Sequence, residues 1–143
     1  MRFATIAAIF AAGALAAPAS QGQATPGENI TVSDFSVRKK VDNTPTKVDF
    51  KINGGAASNL TCSLENPALP TSAIAKCGDN SAYSFALVKG NATDYGARLY
   101  KTLGPGVGLY GEGDVFTVCH TGGLGDLLCN QVAPATIVID SNA

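Results

Sequence analysis

Lys47-Val48-Asp49-Phe50-Lys51-Ile52 is the stretch on which the fold turns: apolar and charged side chains alternate one by one. A helix, with about 3.6 residues per turn, would scatter Val48, Phe50 and Ile52 around its circumference, whereas an extended chain places them on one face. The segment reads as a β-strand with one wet face. The pattern recurs further on. Leu60, Cys62 and Leu64 alternate with Thr61 and Ser63, and Tyr83, Phe85 and Leu87 alternate with Ala82, Ser84 and Ala86. Further strands are expected near 30–37, 97–102, 107–110, 115–119 and 136–139. Turn-forming runs separate them: Asp42-Asn43-Thr44-Pro45, Asn53-Gly54-Gly55, Lys89-Gly90-Asn91 and Gly104-Pro105-Gly106. Residues 68–76 hold some helix formers, but Pro67 and Pro70 interrupt them. The expectation is an all-β fold, a compact antiparallel β-barrel or sandwich of short strands, without internal repeat or second domain.

The chain opens differently. Met1-Arg2 gives a positive start, residues 3–17 are apolar apart from Thr5 and Gly13, and small residues follow at Ala14, Ala16, Ala17 and Ala19. This is the pattern of a secretory signal peptide over residues 1–19, cleaved after Ala16 or Ala19. Pro18, Ser20 and Gln21 end the apolar run short of the roughly 20 residues a membrane span requires. Residues 20–28 are small and polar and read as a flexible leader, with a single domain over 29–143. Without Arg2, nine basic side chains face eleven acidic ones. Such a balance gives no positive field for nucleic acid. Asn29-Ile30-Thr31, Asn59-Leu60-Thr61 and Asn91-Ala92-Thr93 make Asn29, Asn59 and Asn91 candidate glycosylation sites, Asn59 the least suited because it falls at a strand edge.

Export places Cys62, Cys77, Cys119 and Cys129 where thiols oxidise. Four cysteines allow three pairings. The local ones are favoured, because each spans a turn-rich segment able to bring two strands together. A zinc site does not fit: no closely spaced cysteine knuckle exists, and His120 adjoins Cys119 directly.

Leu60-Thr61-Cys62-Ser63 followed by Cys77-Gly78-Asp79-Asn80-Ser81 and Phe85 resembles the first cysteine block of the major Alternaria allergen family. Cys119, Gly122, Gly123 and Gly125, closing at Cys129, resemble its second block with a shorter loop, and Val32-Ser33-Asp34-Phe35 resembles its first strand. Within that family the chain is most similar to the proteins that induce a hypersensitive response in plants. The resemblance implies a small secreted fungal β-barrel with the pairs Cys62–Cys77 and Cys119–Cys129. It also implies a plant host protein as partner, either a receptor or a thaumatin-like pathogenesis-related protein. The allergen's subunit-linking cysteine has no counterpart between Ala17 and Leu60, so a monomer or non-covalent oligomer is expected in place of a covalent dimer. Flavonoid binding in the family depends on the allergen's oligomer and is not carried over.

Signatures of catalysis are weak. Gly106-Val107-Gly108-Leu109-Tyr110-Gly111 satisfies the dinucleotide-loop pattern but is followed by Gly113-Asp114 and another strand, not by the helix that would hold a pyrophosphate. His120 is the sole histidine; a triad with Asp114 or Asp126 has no nucleophile elbow to join. Paired carboxylates for glycoside hydrolysis could be drawn from Glu28, Glu65, Glu112 and several aspartates, most of which read as parts of polar turns. No catalytic residue, metal ligand or cofactor is expected. The leading expectation is a secreted, non-catalytic effector that triggers plant defence. A small cell-wall hydrolase, or a carrier of a small apolar ligand inside the barrel, is the alternative. Recognition would fall on loops 38–46, 65–76, 89–96 and 104–113. Arg38, Lys39 and Lys40, read as a basic turn, are the first partner-binding candidates, and Tyr95, read as exposed in a turn, is the aromatic one.

Overall fold

Ten strands and no helix occur among residues 26–141, the part of the chain that the computed structural model describes. They are β1 (Glu28–Lys39), β2 (Pro45–Gly54), β3 (Ala57–Glu65), β4 (Ala75–Lys76), β5 (Tyr83–Val88), β6 (Tyr95–Gly104), β7 (Val107–Val115), β8 (Thr117–Thr121), β9 (Leu127–Gln131) and β10 (Ala135–Ile139). The expected signal peptide and most of the expected leader lie outside the described residues. The leader's last expected residue, Glu28, is instead the first residue of β1.

The alternation that marked β2 sets the packing. Val48, Phe50 and Ile52 are buried and meet Leu64, Cys62 and Leu60 across the antiparallel β2–β3 ladder. One sheet runs β3-β2-β1-β9-β8, with β10 also paired to β1; the other runs β4-β5-β6-β7. The two inner faces meet in an aromatic core. Phe50 packs edge-on to Phe85 at 4.8 Å and lies 5.5 Å from Phe35, all three essentially inaccessible. Burial of each such ring stabilises by about 1.5–3 kcal/mol.

Of the barrel or sandwich expected from the sequence, the sandwich is the form adopted. The two sheets are separate ladders that touch at two seams, so the molecule is a sandwich. At one seam Cys62 and Cys77 face each other as an isolated bridge and are disulfide-bonded. At the other, Tyr110 and Asp140 exchange backbone hydrogen bonds of 3.0 and 3.1 Å. The strands approach so closely there that a side chain at Gly111 would collide with the Val138 carbonyl oxygen. This glycine ends the dinucleotide-like motif, and its role is close backbone contact.

β1 changes partners midway. Glu28 to Val32 pair with β10, and Ser36 to Lys39 pair with β9. Between them Asp34 takes a positive φ of 53° in a bulge. The Gln131 side chain bridges the gap, donating to the Val32 carbonyl at 3.0 Å and accepting from the Phe35 N–H at 3.2 Å. One long strand thus carries both the central sheet and the β8–β9 ribbon beside it. The strand expected at 115–119 is split, since Val115 closes β7 and Thr117 opens β8.

Candidate functional site

The basic run is not a turn. Arg38 and Lys39 are the last residues of β1, and alternation sends them to opposite faces. Arg38 is exposed on the outer face, between Lys47 and Leu128 of the neighbouring strands. Lys39, two residues after buried Val37, points to the rim of the core with its ammonium 5.9 Å from the centre of the Tyr95 ring. Lys40 is exposed at the start of the turn proper, closed by its N–H donating to the Thr44 carbonyl at 2.9 Å. Asp42 caps that turn. Hydrogen bonds from the Thr44 N–H and hydroxyl, aided by the Lys40 charge, hold its carboxyl below the ordinary value. None of the three cations forms an ion pair among the described residues.

Tyr95 requires a second correction. It is the first residue of β6, only 2% exposed, with its ring 6.5 Å from Phe35. Burial, with the Asp94 charge adding to it, raises the phenol pKa. Tyr95 therefore supports Lys39 from below and offers no contact area itself. The exposed tyrosine is Tyr110, stacked on Tyr100 at 6.0 Å on the outer face of the smaller sheet.

Beside the basic residues stand two apolar tips that sequence reading had not singled out. Val41 in the β1–β2 turn is 74% exposed, and Leu124 in the β8–β9 turn is 96% exposed. The two turns touch, since a side chain at Gly125 would come within 3.7 Å of Val41. A shallow groove of about 290 Å³ runs between Arg38 and the Gly122–Gly123–Leu124 turn. The signal was present in the sequence as an aliphatic residue inside each polar or glycine-rich turn, where nothing local could bury it. One end of the sandwich thus combines unpaired positive charge with protruding apolar groups. Such a surface suits a partner with acidic groups around an apolar depression.

The residues weighed for catalysis are dispersed. His120 is exposed on β8 opposite Leu128. Asp114 accepts the Asn91 and Ala92 N–H groups, each at 2.8 Å. Each glutamate is matched to a cation: Glu28 to Lys101, Glu65 to Lys47 at 3.6 Å, and Glu112 to Arg98 at 2.7 Å. Tyr83 donates to Glu28 at 2.9 Å, with Lys101 5.4 Å from its ring centre. Among the sequons, Asn29 sits within β1, Asn59 within β3 at a positive φ of 50°, and Asn91 in the exposed loop before β6. Among the described residues no helix is long and apolar enough to cross a membrane.

Both disulfides, Cys62–Cys77 and Cys119–Cys129, are formed. The second ties β8 to β9 behind the Leu124 turn.

Comparison with known proteins follows the same lines. The family model of Alternaria alternata allergen 1 matches residues 32–129, more than half of the chain. Effector protein PevD1 of Verticillium dahliae is 49% identical over 144 residues, spanning 96% of this chain and 92% of its own. Two crystal structures of the Alternaria alternata allergen Alt a 1 superpose with TM-scores of 0.65 and 0.62, at 23% and 26% identity. Each covers 78% of this chain, and 86% and 91% of the respective allergen chains are matched.

Proposed function

The chain belongs to the Alternaria alternata allergen 1 family, and from that premise we propose that it is a secreted fungal effector which triggers plant defence through contact with host proteins, without chemistry of its own. The effector relative, alike over nearly the whole length, supports the class. The signal-peptide pattern over residues 1–19 and two disulfides, a bond type that persists outside the cell, support secretion. A role without catalysis agrees with a lone exposed histidine and with glutamates already matched to cations. Of the three sequons, Asn91 has the most open setting for a glycan.

One observation carries the choice of surface. Arg38 and Lys40 stand exposed and without ion pairs beside Val41 and Leu124, on a frame fixed by β1 and the stapled β8–β9 ribbon. The partner is a plant protein, a receptor or a pathogenesis-related protein of the thaumatin-like kind, with an acidic rim. Lys39 plays a different part because it packs on Tyr95. The test is therefore the double variant Arg38→Ala with Lys40→Ala, infiltrated into leaf beside the native protein. The expected result is a weakened response and weaker capture of the host partner, with unchanged thermal melting. An undiminished response would remove this surface from consideration.

A further inference from the structure

Among the described residues three of the outer strand edges are each met by another part of the chain at an isolated bridge. The outer edge of β3 meets Cys77, that of β7 meets Asp140, and the end of β5 is bridged by Thr71 to Val88. β8 has β9 on one side and no strand on the other. Its residues after Thr117 are exposed, Cys119 among them despite its disulfide.

The geometry fixes what this edge offers. The Val132 N–H donates to the Phe116 carbonyl at 2.9 Å, which makes Phe116 and Val132 a hydrogen-bonded pair of the antiparallel ladder. Alternation along the register then turns Val118 and His120 toward β9, and leaves the N–H and C=O groups of Thr117, Cys119 and Thr121 aimed away from it. Edges of this kind are ordinarily blunted by lysine, proline or a bulge. Here residues 115–125 contain no Asp, Glu, Lys, Arg or Pro, and the β8–β9 register has no shift. Phe116, Val118 and Val132, exposed by 63%, 53% and 64%, form an apolar strip on the outer face next to the open edge. The Cys119–Cys129 disulfide ties β8 to β9.

We propose that β8 is a docking edge for a second copy of this chain, the two strands pairing antiparallel about Cys119. In that register Cys119 lies opposite its own copy, Thr117 opposite Thr121, and Val118 opposite His120. Thr117, Cys119 and Thr121 then exchange both backbone bonds with their counterparts. A two-fold contact sets like against like, so a charged edge would repel itself; this one has no Asp, Glu, Lys or Arg, and His120 meets Val118 and not another His120. The chain before Glu28 is a poor occupant. It leaves from the far end of β1, eight residues or roughly 26 Å from the segment that carries β9. The pairing does not rest on the host-binding surface proposed above, although both use the β8–β9 ribbon.

Sedimentation velocity across a concentration series, joined with hydrogen exchange, tests it on the full secreted protein. A concentration-dependent dimer is expected, with protection of the Thr117, Cys119 and Thr121 amides appearing as it forms. Val118→Lys, and separately Thr121→Pro, which removes an N–H unused by the monomer, should each weaken dimerisation about tenfold or more, because each change enters the interface twice. Melting of the monomer should be unaffected. A protein monomeric up to its solubility limit would overturn the proposal, as would a dimer indifferent to both variants. Edge amides already protected in the monomer would assign the edge to the chain's own N-terminal residues. Protection gained only with plant extract would assign it to an extended host strand. Either result replaces the second copy.

Discussion

Lys39 spans the rim of the core to lie over Tyr95, its ammonium 5.9 Å from the ring centre, which gives two adjacent basic residues opposite duties. Arg38 faces solvent and is free to meet a partner, while Lys39 covers a buried ring. A cation–π contact at a partly open site contributes about 0.5–1 kcal/mol. Lys39→Ala should therefore lower unfolding stability by about that amount. Arg38→Ala should leave it unchanged within about 0.5 kcal/mol, as for other surface substitutions. Urea titration of the two variants separates these outcomes, and equal losses would refute the division of roles.

The cluster of Glu28, Tyr83 and Lys101 sets a pH response. Burial pushes the Glu28 carboxyl up, but the Lys101 and Tyr83 hydrogen bonds together outweigh it and bring it below the ordinary value. A lowered folded pKa stabilises the fold above the ordinary carboxylate range, and that contribution is lost as pH falls through the lowered value. Lys101 is raised, chiefly by its hydrogen bond to Glu28, so its contribution is present below the ordinary amine range and fades as pH rises through the raised value. Stability due to this pair is thus a plateau between the two. Glu28→Gln should lower the plateau and flatten the acid-side slope of the unfolding midpoint against pH. An acid slope identical to that of the native protein would exclude Glu28 as its source.

Gly111 and Gly104 belong to the same glycine-rich stretch yet differ in what surrounds them. A side chain at Gly111 meets the Val138 carbonyl across the β7–β10 seam, whereas one at Gly104 meets nothing within 4 Å. Gly111→Ala should cost about 1–3 kcal/mol, the usual range for overpacking. Gly104→Ala should stay within about 0.5 kcal/mol. Thermal melting of the pair checks whether the seam, and not the turn, requires the glycine.

The sandwich was legible because β2 and β3 follow a period of two, a local property of the chain, and β5 begins with it before Ala86 and Val88 are buried as well. β9 was not, since Leu127-Leu128-Cys129-Asn130-Gln131 sets two leucines side by side and lies between two wet or half-wet faces. The seams were illegible for a different reason: Tyr110 and Asp140, or Cys62 and Cys77, meet through the whole fold and leave no periodic trace. The error at Tyr95 was avoidable. Tyr95, Ala97 and Leu99 share parity, and extending the expected strand two residues back would have turned the ring inward. Likewise Lys39 shares parity with Phe35 and Val37, so three charges in a row were less informative than the alternation running through them.

The two disulfides should respond differently to reductant. Cys62 and Cys77 are fully buried at the seam between the sheets, whereas Cys119 is exposed on β8 and only Cys129 is buried. Exchange begins with thiolate attack on an accessible sulfur, so mild reductant under native conditions should open Cys119–Cys129 first and leave Cys62–Cys77 intact until the sandwich unfolds. Removal of the seam bond should be the costlier, because it closes the longer loop, 15 residues against 10, and tethers two sheets and not two paired strands. In the chain-entropy account a 15-residue closure is worth about 3 kcal/mol. Alkylation after timed reduction, read by peptide mass spectrometry, gives the order. Simultaneous loss of both bonds would mean that β8 is held no more loosely than the core, and that the ribbon is not the separable element its exposure indicates.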